Sequence, residues 1–254
     1  MDVSPIVYDR FQCNKCSDEQ LDFDFTMAFQ PIINIQAKDV FGYEALVRGL
    51  NNESAFSIIS KVDDDNRYLF DQLCRVKAIA LAAKLKLQSM LSINFLPKAI
   101  YKPERCIRTT LEAAQTYDFP TERIMFEFTE VEKIESTDFI KEIVEYYKSM
   151  GFTTAIDDFG SGYSGLGLLA DFQANIIKID MDLIRNIDRD KSRQFIIKNC
   201  LNLFHDLNVL PLAEGIETKE EMEWLRDAGI VLMQGYLFAK PEFEQLPQVN
   251  FSEL

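Results

Sequence analysis

Residues 123–158 read RIMFEFTEVEKIESTDFIKEIVEYYKSMGFTTAIDD, and this stretch decides the fold class. Its two short runs rich in aromatic and β-branched residues, 123–129 and 153–157, are typical of buried strands. The segment between them, 137–150, fits a helix that stops at Gly151. A strand, a helix and a second strand in this order predict two parallel strands of one sheet, each buried on both faces.

The same alternation extends through most of the chain. Further strand-like runs are predicted at residues 25–35, 40–47, 90–96, 175–180, 209–215 and 230–238. Further helices are predicted at 66–87, 104–117, 191–207 and 219–228. About eight strands in ~225 residues is the size of a closed (β/α)8 barrel, with an open doubly wound sheet as the alternative. The first two runs are so close in sequence that they predict a hairpin, and hence one antiparallel barrel strand.

The composition excludes several classes of partner. The 254 residues include 41 acidic and 27 basic side chains, a formal net charge of -14. Such a surface disfavours duplex nucleic acid and anionic lipid. No apolar run reaches the 18 residues of a membrane span, so membrane insertion is not expected. The five scattered cysteines and the absence of a secretory signal predict a reducing, cytoplasmic location.

Two regions differ in character along the chain. Residues 1–24 are polar and irregular and contain one Cys-x-x-Cys pair, Cys13 and Cys16. That pair is half of a zinc site or a redox pair, since a structural zinc usually takes four ligands. Residues 25–254 are predicted to form one domain.

Polar side chains recur near the carboxyl ends of the predicted strands. They are Glu44, Asn94, Glu127, Glu130, Asp157, Asp158, Lys178, Asp180, Glu214, Glu217 and Gln234. Each acid alone is typical of a helix cap or a solvated loop, but in a barrel all of them converge on one mouth. Crowded carboxylates repel one another unless cations intervene, and oxygen ligands without histidine or thiolate suit Mg²⁺ or Mn²⁺. Adjacent Asp157 and Asp158 could let two metals share the site, as in many phosphoesterases.

Eight short blocks in order show a resemblance to a known family. They are FQPI (29–32), YEALVRG (43–49), SINFLP (92–97), FEFTE (126–130), AIDDFGSGYSGL (155–166), IKID (177–180), AEGIE (213–217) and QGYLF (234–238). Across roughly residues 25–245 the chain resembles the EAL-domain phosphodiesterases, which hydrolyse the bacterial second messenger cyclic di-GMP to linear 5′-pGpG. The resemblance implies a modified TIM barrel with one antiparallel strand.

The resemblance also implies a role for each matching residue. The implied metal ligands are Glu44, Asn94, Glu127, Asp157, Asp158 and Glu214. Two Mg²⁺ or Mn²⁺ ions would activate a water molecule as the nucleophile, and Ca²⁺ is expected to bind and inhibit. Lys178 would hold or polarise that water, and Glu214 is either a general base or a metal ligand.

The remaining implied residues concern the substrate and the dimer. The implied substrate-binding residues are Arg48, Leu46 and Gln234. The planar fork of Arg48 suits a phosphate. Glu130 would anchor the loop 159–165, which connects the active site of this family to its dimer interface. A homodimer is therefore expected.

Two alternatives to catalysis remain open. One is a non-catalytic cyclic di-GMP receptor that signals through a regulatory protein partner, and the other is a scaffold that binds no nucleotide. The stretch NRYLFDQLCRVKAI (66–79) resembles the branch of the family that often follows a blue-light-sensing flavin domain. With 24 residues before the barrel, we expect no such sensor and no regulation by light.

Overall fold

Strands and helices alternate along the computed structural model, which describes residues 21–96, 106–129, 137–161, 165–252 and 254. The strands are β1 Thr26–Asn34, β2 Asp39–Arg48, β3 Met90–Phe95, β4 Ile124–Thr129, β5 Thr153–Phe159, β6 Ile176–Ile179, β7 Leu210–Ala213, β8 Leu232–Met233 and β9 Glu242–Phe243. The helices are α1 Ala55–Ile59, α2 Arg67–Lys84, α3 Arg108–Thr116, α4 Thr137–Ser149, α5 Gly165–Asp171, α6 Met181–Ile184, α7 Lys191–Asp206 and α8 Lys219–Asp227. Among the described residues, no helix has the length and apolar character needed to cross a bilayer.

The sheet closes into an eight-stranded barrel. Strands β2 to β8 are parallel neighbours in chain order, and β1 pairs with both β2 and β8 to close the ring. Both pairings of β1 are antiparallel, and β9 bonds to β1 outside the barrel. The predicted α/β barrel with one antiparallel strand is therefore confirmed, and the open doubly wound sheet is excluded.

The antiparallel strand follows from the short connection between β1 and β2. Parallel neighbours need a crossover of about a dozen residues or more, whereas a tight turn joins only antiparallel strands. The Asn34 side chain accepts hydrogen bonds from the Gln36 and Ala37 amides, which stabilises the turn. The resulting register sets Thr26 opposite Arg48, so β1 begins at the end of the barrel where β2 finishes.

A separate apolar cluster fills the barrel interior. Six strands each contribute one buried residue to it: Ile32, Met125, Ala155, Ile176, Leu212 and Leu232. The larger core lies between the strands and the surrounding helices, where Phe95, Phe126 and Phe152 pack around Tyr147 of α4. Because apolar side chains fill one end of the interior, polar side chains can meet only at the other end.

The predicted helix boundaries are close to those observed. The predicted helices begin and end within about three residues of the observed bounds, apart from one helix start. The helix predicted from residue 104 has Arg108 as its first residue, and residues 104–105 lie outside the described residues. Thr218 caps α8 in a reciprocal capping box with Glu221. Gly151 and Gly229 follow α4 and α8 with φ of 89° and 102°, as expected for helix stops.

The largest correction concerns the last barrel strand. The run 230–238 was expected to be one strand, but β8 covers only Leu232–Met233. The chain leaves the sheet at Gly235, where a Cβ atom would lie 2.0 Å from the Ile216 carbonyl oxygen. The sequence remains apolar up to residue 238, beyond this close approach. The hydropathy of the run therefore does not show where the strand ends. Helices α1, α5 and α6 and strand β9 were not predicted.

A buried ion pair joins α2 to the elements that flank it. Arg75 Nη2 lies 2.7 Å from Asp71 Oδ2, and both side chains are about 1% exposed. Arg75 Nη1 also donates to the Cys106 carbonyl and to Thr110 Oγ1. Asp71 Oδ1 accepts from the Leu96 amide, just beyond β3. The pair therefore links α2 to the end of β3 and to the start of α3.

We expect Asp71→Ala to lower the free energy of unfolding by about 3–5 kcal/mol, because it leaves the Arg75 charge buried without its carboxylate. Asp64→Ala removes the exposed partner of Arg67 and should cost no more than about 1 kcal/mol. Urea denaturation of both variants measures the difference. Equal losses in the two variants would contradict this account of the pair.

Candidate active site

The site residues follow from the two-residue period of a β-strand, since residues i and i+2 point to the same face. Each interior apolar residue on β4 to β8 is followed two positions later by a predicted site residue. The pairs are Met125 and Glu127, Ala155 and Asp157, Ile176 and Lys178, Leu212 and Glu214, and Leu232 and Gln234. The polar layer therefore lies directly above the apolar interior, at the carboxyl ends of the parallel strands.

Lys178 is the centre of this polar layer. Its Nζ lies 2.7 Å from Glu127 Oε2, 2.8 Å from Glu214 Oε1, 3.0 Å from Asp157 Oδ1 and 3.9 Å from Glu44 Oε1. The Lys178 side chain is only 1% exposed. One ammonium group thus contacts carboxylates from four different strands or strand ends.

A second network holds Glu44 from two sides. Asn94 Nδ2 donates to Glu44 Oε1 and Gln234 Nε2 donates to Glu44 Oε2, both at 2.8 Å. The same Gln234 nitrogen lies 3.3 Å from Gln30 Oε1, while Gln30 Nε2 donates to the Ala239 carbonyl. These bonds leave Gln234 Oε1 as a buried acceptor without a hydrogen-bond partner among the described residues. Gln30 belongs to the FQPI block and was not among the predicted site residues.

Glu127 is the most deeply buried carboxylate of the cluster. It is 0% exposed, and its two oxygens accept hydrogen bonds from Ser92 Oγ and Lys178 Nζ. Ser92 is also 0% exposed. Ser92 lies within the SINFLP block but was not predicted to have a role. Its place two residues before Asn94, on the same strand face, is the signal that could have found it.

A strand irregularity brings Asp157 and Asp158 to the same side. Neighbouring strand residues normally point to opposite faces. Here the register between β5 and β6 shifts between Ile156 and Phe159, and Asp158 adopts φ of 57°. Its amide donates to Asp157 Oδ1 at 2.9 Å. One carboxylate oxygen from each of Asp157, Asp158 and Glu214 lies within 4.8 Å of the others, which is close enough for a shared metal ion.

Burial and mutual repulsion shift the pKa values of this cluster. Burial raises the pKa of Glu127 and of Glu214 well above the usual range, and Lys178 only partly opposes this. Burial, reinforced by the charge of Asp157, raises the pKa of Asp158 to about 6. For Lys178, burial acts in the opposite direction, yet the surrounding carboxylates raise its pKa well above the ordinary value. The ammonium is thus charged throughout the physiological range.

The charge and chemistry of the donors fit divalent metal ions. Five carboxylates (Glu44, Glu127, Asp157, Asp158 and Glu214) against one ammonium leave four negative charges, 5 − 1 = 4, when all are ionised. Two divalent cations carry four positive charges and would balance this negative charge. The donors are oxygens of carboxylates and of the Asn94 and Gln234 amides, the set that Mg²⁺ and Mn²⁺ prefer.

A cleft of about 230 Å³ opens beside the carboxylates. Its lining includes Glu44, Glu214, Gln234, Asp180, Glu217, Gln30, Gly215 and Gly235 together with Met181 and Tyr236. The phenol ring of Tyr236 is 55% exposed and Lys240 Nζ lies 5.4 Å from its centroid. The cleft therefore combines acidic and aromatic groups next to the carboxylate cluster.

Two predicted residues, Arg48 and Leu46, stand apart from the carboxylate cluster. Arg48 and Leu46 are partly exposed on β2, and Arg48 Nη1 donates to the Val47 carbonyl. Neither residue lines the cleft among the described residues. Glu130 lies outside the described residues, as do Cys13 and Cys16.

A family model described as the EAL domain matches residues 15–241. The chain belongs to the EAL-domain family. The motif residue Glu44 of this family is therefore the carboxylate that Asn94 and Gln234 hold at the mouth of the barrel.

Two solved EAL structures are similar to the chain. A standalone versatile EAL protein from Vibrio cholerae O395, solved in a c-di-GMP-bound form, is 72% identical, with a TM-score of 0.90 over 92% of this chain and 100% of that one. Klebsiella pneumoniae BlrP1 in a manganese and cyclic di-GMP complex is 33% identical, with a TM-score of 0.82 over 89% of this chain and 58% of BlrP1. BlrP1 is also known in a calcium complex.

Two curated EAL relatives come from Escherichia coli K12. The blue light- and temperature-regulated antirepressor BluF is 33% identical over 227 residues, 89% of this chain and 56% of BluF. The probable cyclic di-GMP phosphodiesterase PdeG is 29% identical over 223 residues, 84% of this chain and 44% of PdeG. The chain spans about half the length of these two relatives.

We expect the metal-free protein to lose stability as the pH rises from about 4 to about 6. The pKa of Asp158 rises from an ordinary 3.8 to about 6 on folding, so the folded state keeps a proton that the unfolded state loses in this window. Urea denaturation in EDTA between pH 4 and pH 7.5 should therefore give a shallower decline for Asp158→Asn, since asparagine tolerates the positive φ. Identical profiles for the variant and the wild type would contradict this assignment.

Proposed function

We propose that the protein is a metal-dependent phosphodiesterase that hydrolyses cyclic di-GMP to linear 5′-pGpG. The observation that carries this proposal is the gathering of four carboxylates around Lys178, with oxygens of Asp157, Asp158 and Glu214 within 4.8 Å of one another. Acidic residues that only cap helices or lie in solvated loops would not be buried together in such a cluster. Membership of the EAL family and the c-di-GMP-bound relative from Vibrio cholerae support the choice of substrate.

The proposed ligands divide into two groups around Asp157. Glu44, Asn94, Glu127 and Asp157 would hold one Mg²⁺ or Mn²⁺ ion, and Asp157, Asp158 and Glu214 would hold a second. When bound, such ions lower the pKa of water and neutralise charge on the phosphate. The manganese complex of BlrP1 supports this choice of metal.

Lys178 and Glu214 are the groups proposed to orient the attacking water and to accept its proton. The permanently charged Lys178 ammonium can donate hydrogen bonds to a water molecule and orient it, but it cannot accept the proton that the water loses. Glu214 can accept that proton or serve as a ligand, since a carboxylate has two oxygens and about four lone-pair sites. Its carboxylate lies between Lys178 and the cleft.

Substrate binding is proposed for residues at the rim of the barrel. Arg48 would give up its bond to the Val47 carbonyl and donate its planar fork to a phosphate of the dinucleotide. Leu46 would contact the nucleotide, and Gln234 would hold Glu44 in place next to it. For Glu130 the proposal is that it anchors the loop 159–165, so that its substitution lowers activity without removing a metal ligand.

A second candidate function is a non-catalytic cyclic di-GMP receptor with a protein partner. The description of BluF as an antirepressor favours this alternative, because an antirepressor acts through another protein. The retention of every proposed ligand favours catalysis, since a receptor needs no cluster of carboxylates next to a phosphate diester. A homodimer, a regulatory partner and a cytoplasmic location remain part of the proposal.

We expect Glu44→Gln to lower turnover of cyclic di-GMP by more than about 100-fold, beyond the 10–100-fold effects of residues that only support a ligand. The exposed Glu145→Gln on α4 is the matched control and should retain wild-type turnover. Chromatography of the products with Mg²⁺ or Mn²⁺ measures both rates. Near-normal turnover in Glu44→Gln would overturn the metal assignment, whereas binding of nucleotide by wild type without any cleavage would favour the receptor.

We expect Ca²⁺ to bind the site and to support little hydrolysis. Ca²⁺ takes six to eight oxygen ligands in flexible geometry, so it orients water less strictly than Mg²⁺ does. A competition assay with increasing Ca²⁺ at constant Mn²⁺ should show progressive inhibition. Equal rates in Ca²⁺ and in Mn²⁺ would count against a metal-activated water.

A further inference from the structure

Ser92 is a fully buried hydroxyl with an unusual partner. Its Oγ donates to Glu127 Oε1, and both residues are 0% exposed. A buried serine in a strand interior more often bonds to the backbone, which would leave the carboxylate alone. Here the hydroxyl instead donates to the side chain of Glu127, which is one of the proposed metal ligands.

The strand register explains how Ser92 reaches Glu127. Asn94 of β3 lies directly opposite Glu127 of β4, and Ser92 lies opposite Met125. Because residues i and i+2 share a face, Ser92 and Glu127 lie on the same face of these two parallel strands. The long Glu127 side chain reaches the Ser92 hydroxyl. Strand β3 thus supplies Asn94 to the mouth and Ser92 to the layer below it.

The hydrogen bond from Ser92 restricts the orientation of the Glu127 carboxylate and still leaves lone-pair sites on its oxygens. The last torsion of a glutamate is broad, so a single contact leaves the plane of the carboxylate free to turn. Lys178 holds Oε2 and Ser92 holds Oε1, which together define that plane. A carboxylate has about four lone-pair sites, so two accepted hydrogen bonds leave sites for a metal ion.

We infer that Ser92 is a positioning residue that orients the Glu127 carboxylate for metal binding. This inference rests on the proposed function, because it takes Glu127 as a ligand. If Lys178 turns toward water or substrate during turnover, Ser92 is the remaining described contact that keeps Glu127 in place. Partners that orient metal ligands in this way typically contribute 10–100-fold in metal affinity.

The chain offers a matched control for the loss of a buried hydroxyl. Thr154 is also 0% exposed, and its Oγ1 donates to Asn175 Oδ1 at 3.1 Å. Asn175 is not a proposed ligand. Thr154→Val therefore removes the hydrogen bond of another fully buried hydroxyl, this one to the exposed Asn175, with no direct link to the carboxylates. Ser92→Thr retains the hydroxyl at position 92.

The test is a Mn²⁺ titration of the full chain by calorimetry after treatment with EDTA, with thermal unfolding in EDTA as a second readout. We expect Ser92→Ala to bind Mn²⁺ about 10–100-fold more weakly than wild type. Thr154→Val should lose thermal stability but keep wild-type Mn²⁺ affinity, and Ser92→Thr should restore affinity.

Each outcome bears on a distinct claim. Wild-type Mn²⁺ affinity in Ser92→Ala, or an equal loss in Thr154→Val, would overturn the positioning role and leave the metal site intact. Failure of the wild-type chain itself to bind Mn²⁺ would overturn the proposed function and this inference with it.

Discussion

The contact between one buried ammonium and four carboxylates determines the rest of the site. Lys178 Nζ lies within 3.0 Å of oxygens from Glu127, Asp157 and Glu214 and 3.9 Å from Glu44. Burying a charge without a partner is costly, so these side chains hold each other at the mouth. One cation is nevertheless too few for five carboxylates, which explains why burial and repulsion raise the pKa values of several of them and why divalent ions suit the site.

The barrel is what brings these charges together. Its apolar interior occupies the lower layer on six strands, and the two-residue strand period then carries polar side chains to the layer above. A closed ring also allows Gln30 of β1 and Gln234 after β8 to meet Glu44 of β2. Closure depends on the antiparallel β1, which hydrogen-bonds to both neighbours. An open sheet would separate its first and last strands and leave Glu44 without Gln234.

The sequence predicts the parallel units and the carboxylates at strand ends, because hydropathy and strand period are local signals. The contribution of Ser92 could not be predicted in this way, since a serine in a strand shows its partner only when the register with β4 is known. The irregularity at Asp158 also escapes local rules, because a positive φ in a strand depends on the neighbouring β6. Likewise, the early end of β8 depends on a close approach between Gly235 and Ile216, which no hydropathy pattern records.

Anomalous diffraction from a crystal grown with Mn²⁺ and cyclic di-GMP locates the metal ions independently of any rate. If the carboxylate cluster binds two metal ions, two peaks about 3.5–4 Å apart are expected. One should lie among Asp157, Asp158 and Glu214, and the other among Glu44, Asn94, Glu127 and Asp157. A nucleotide seated in the cleft with no anomalous peak at these carboxylates would contradict the account.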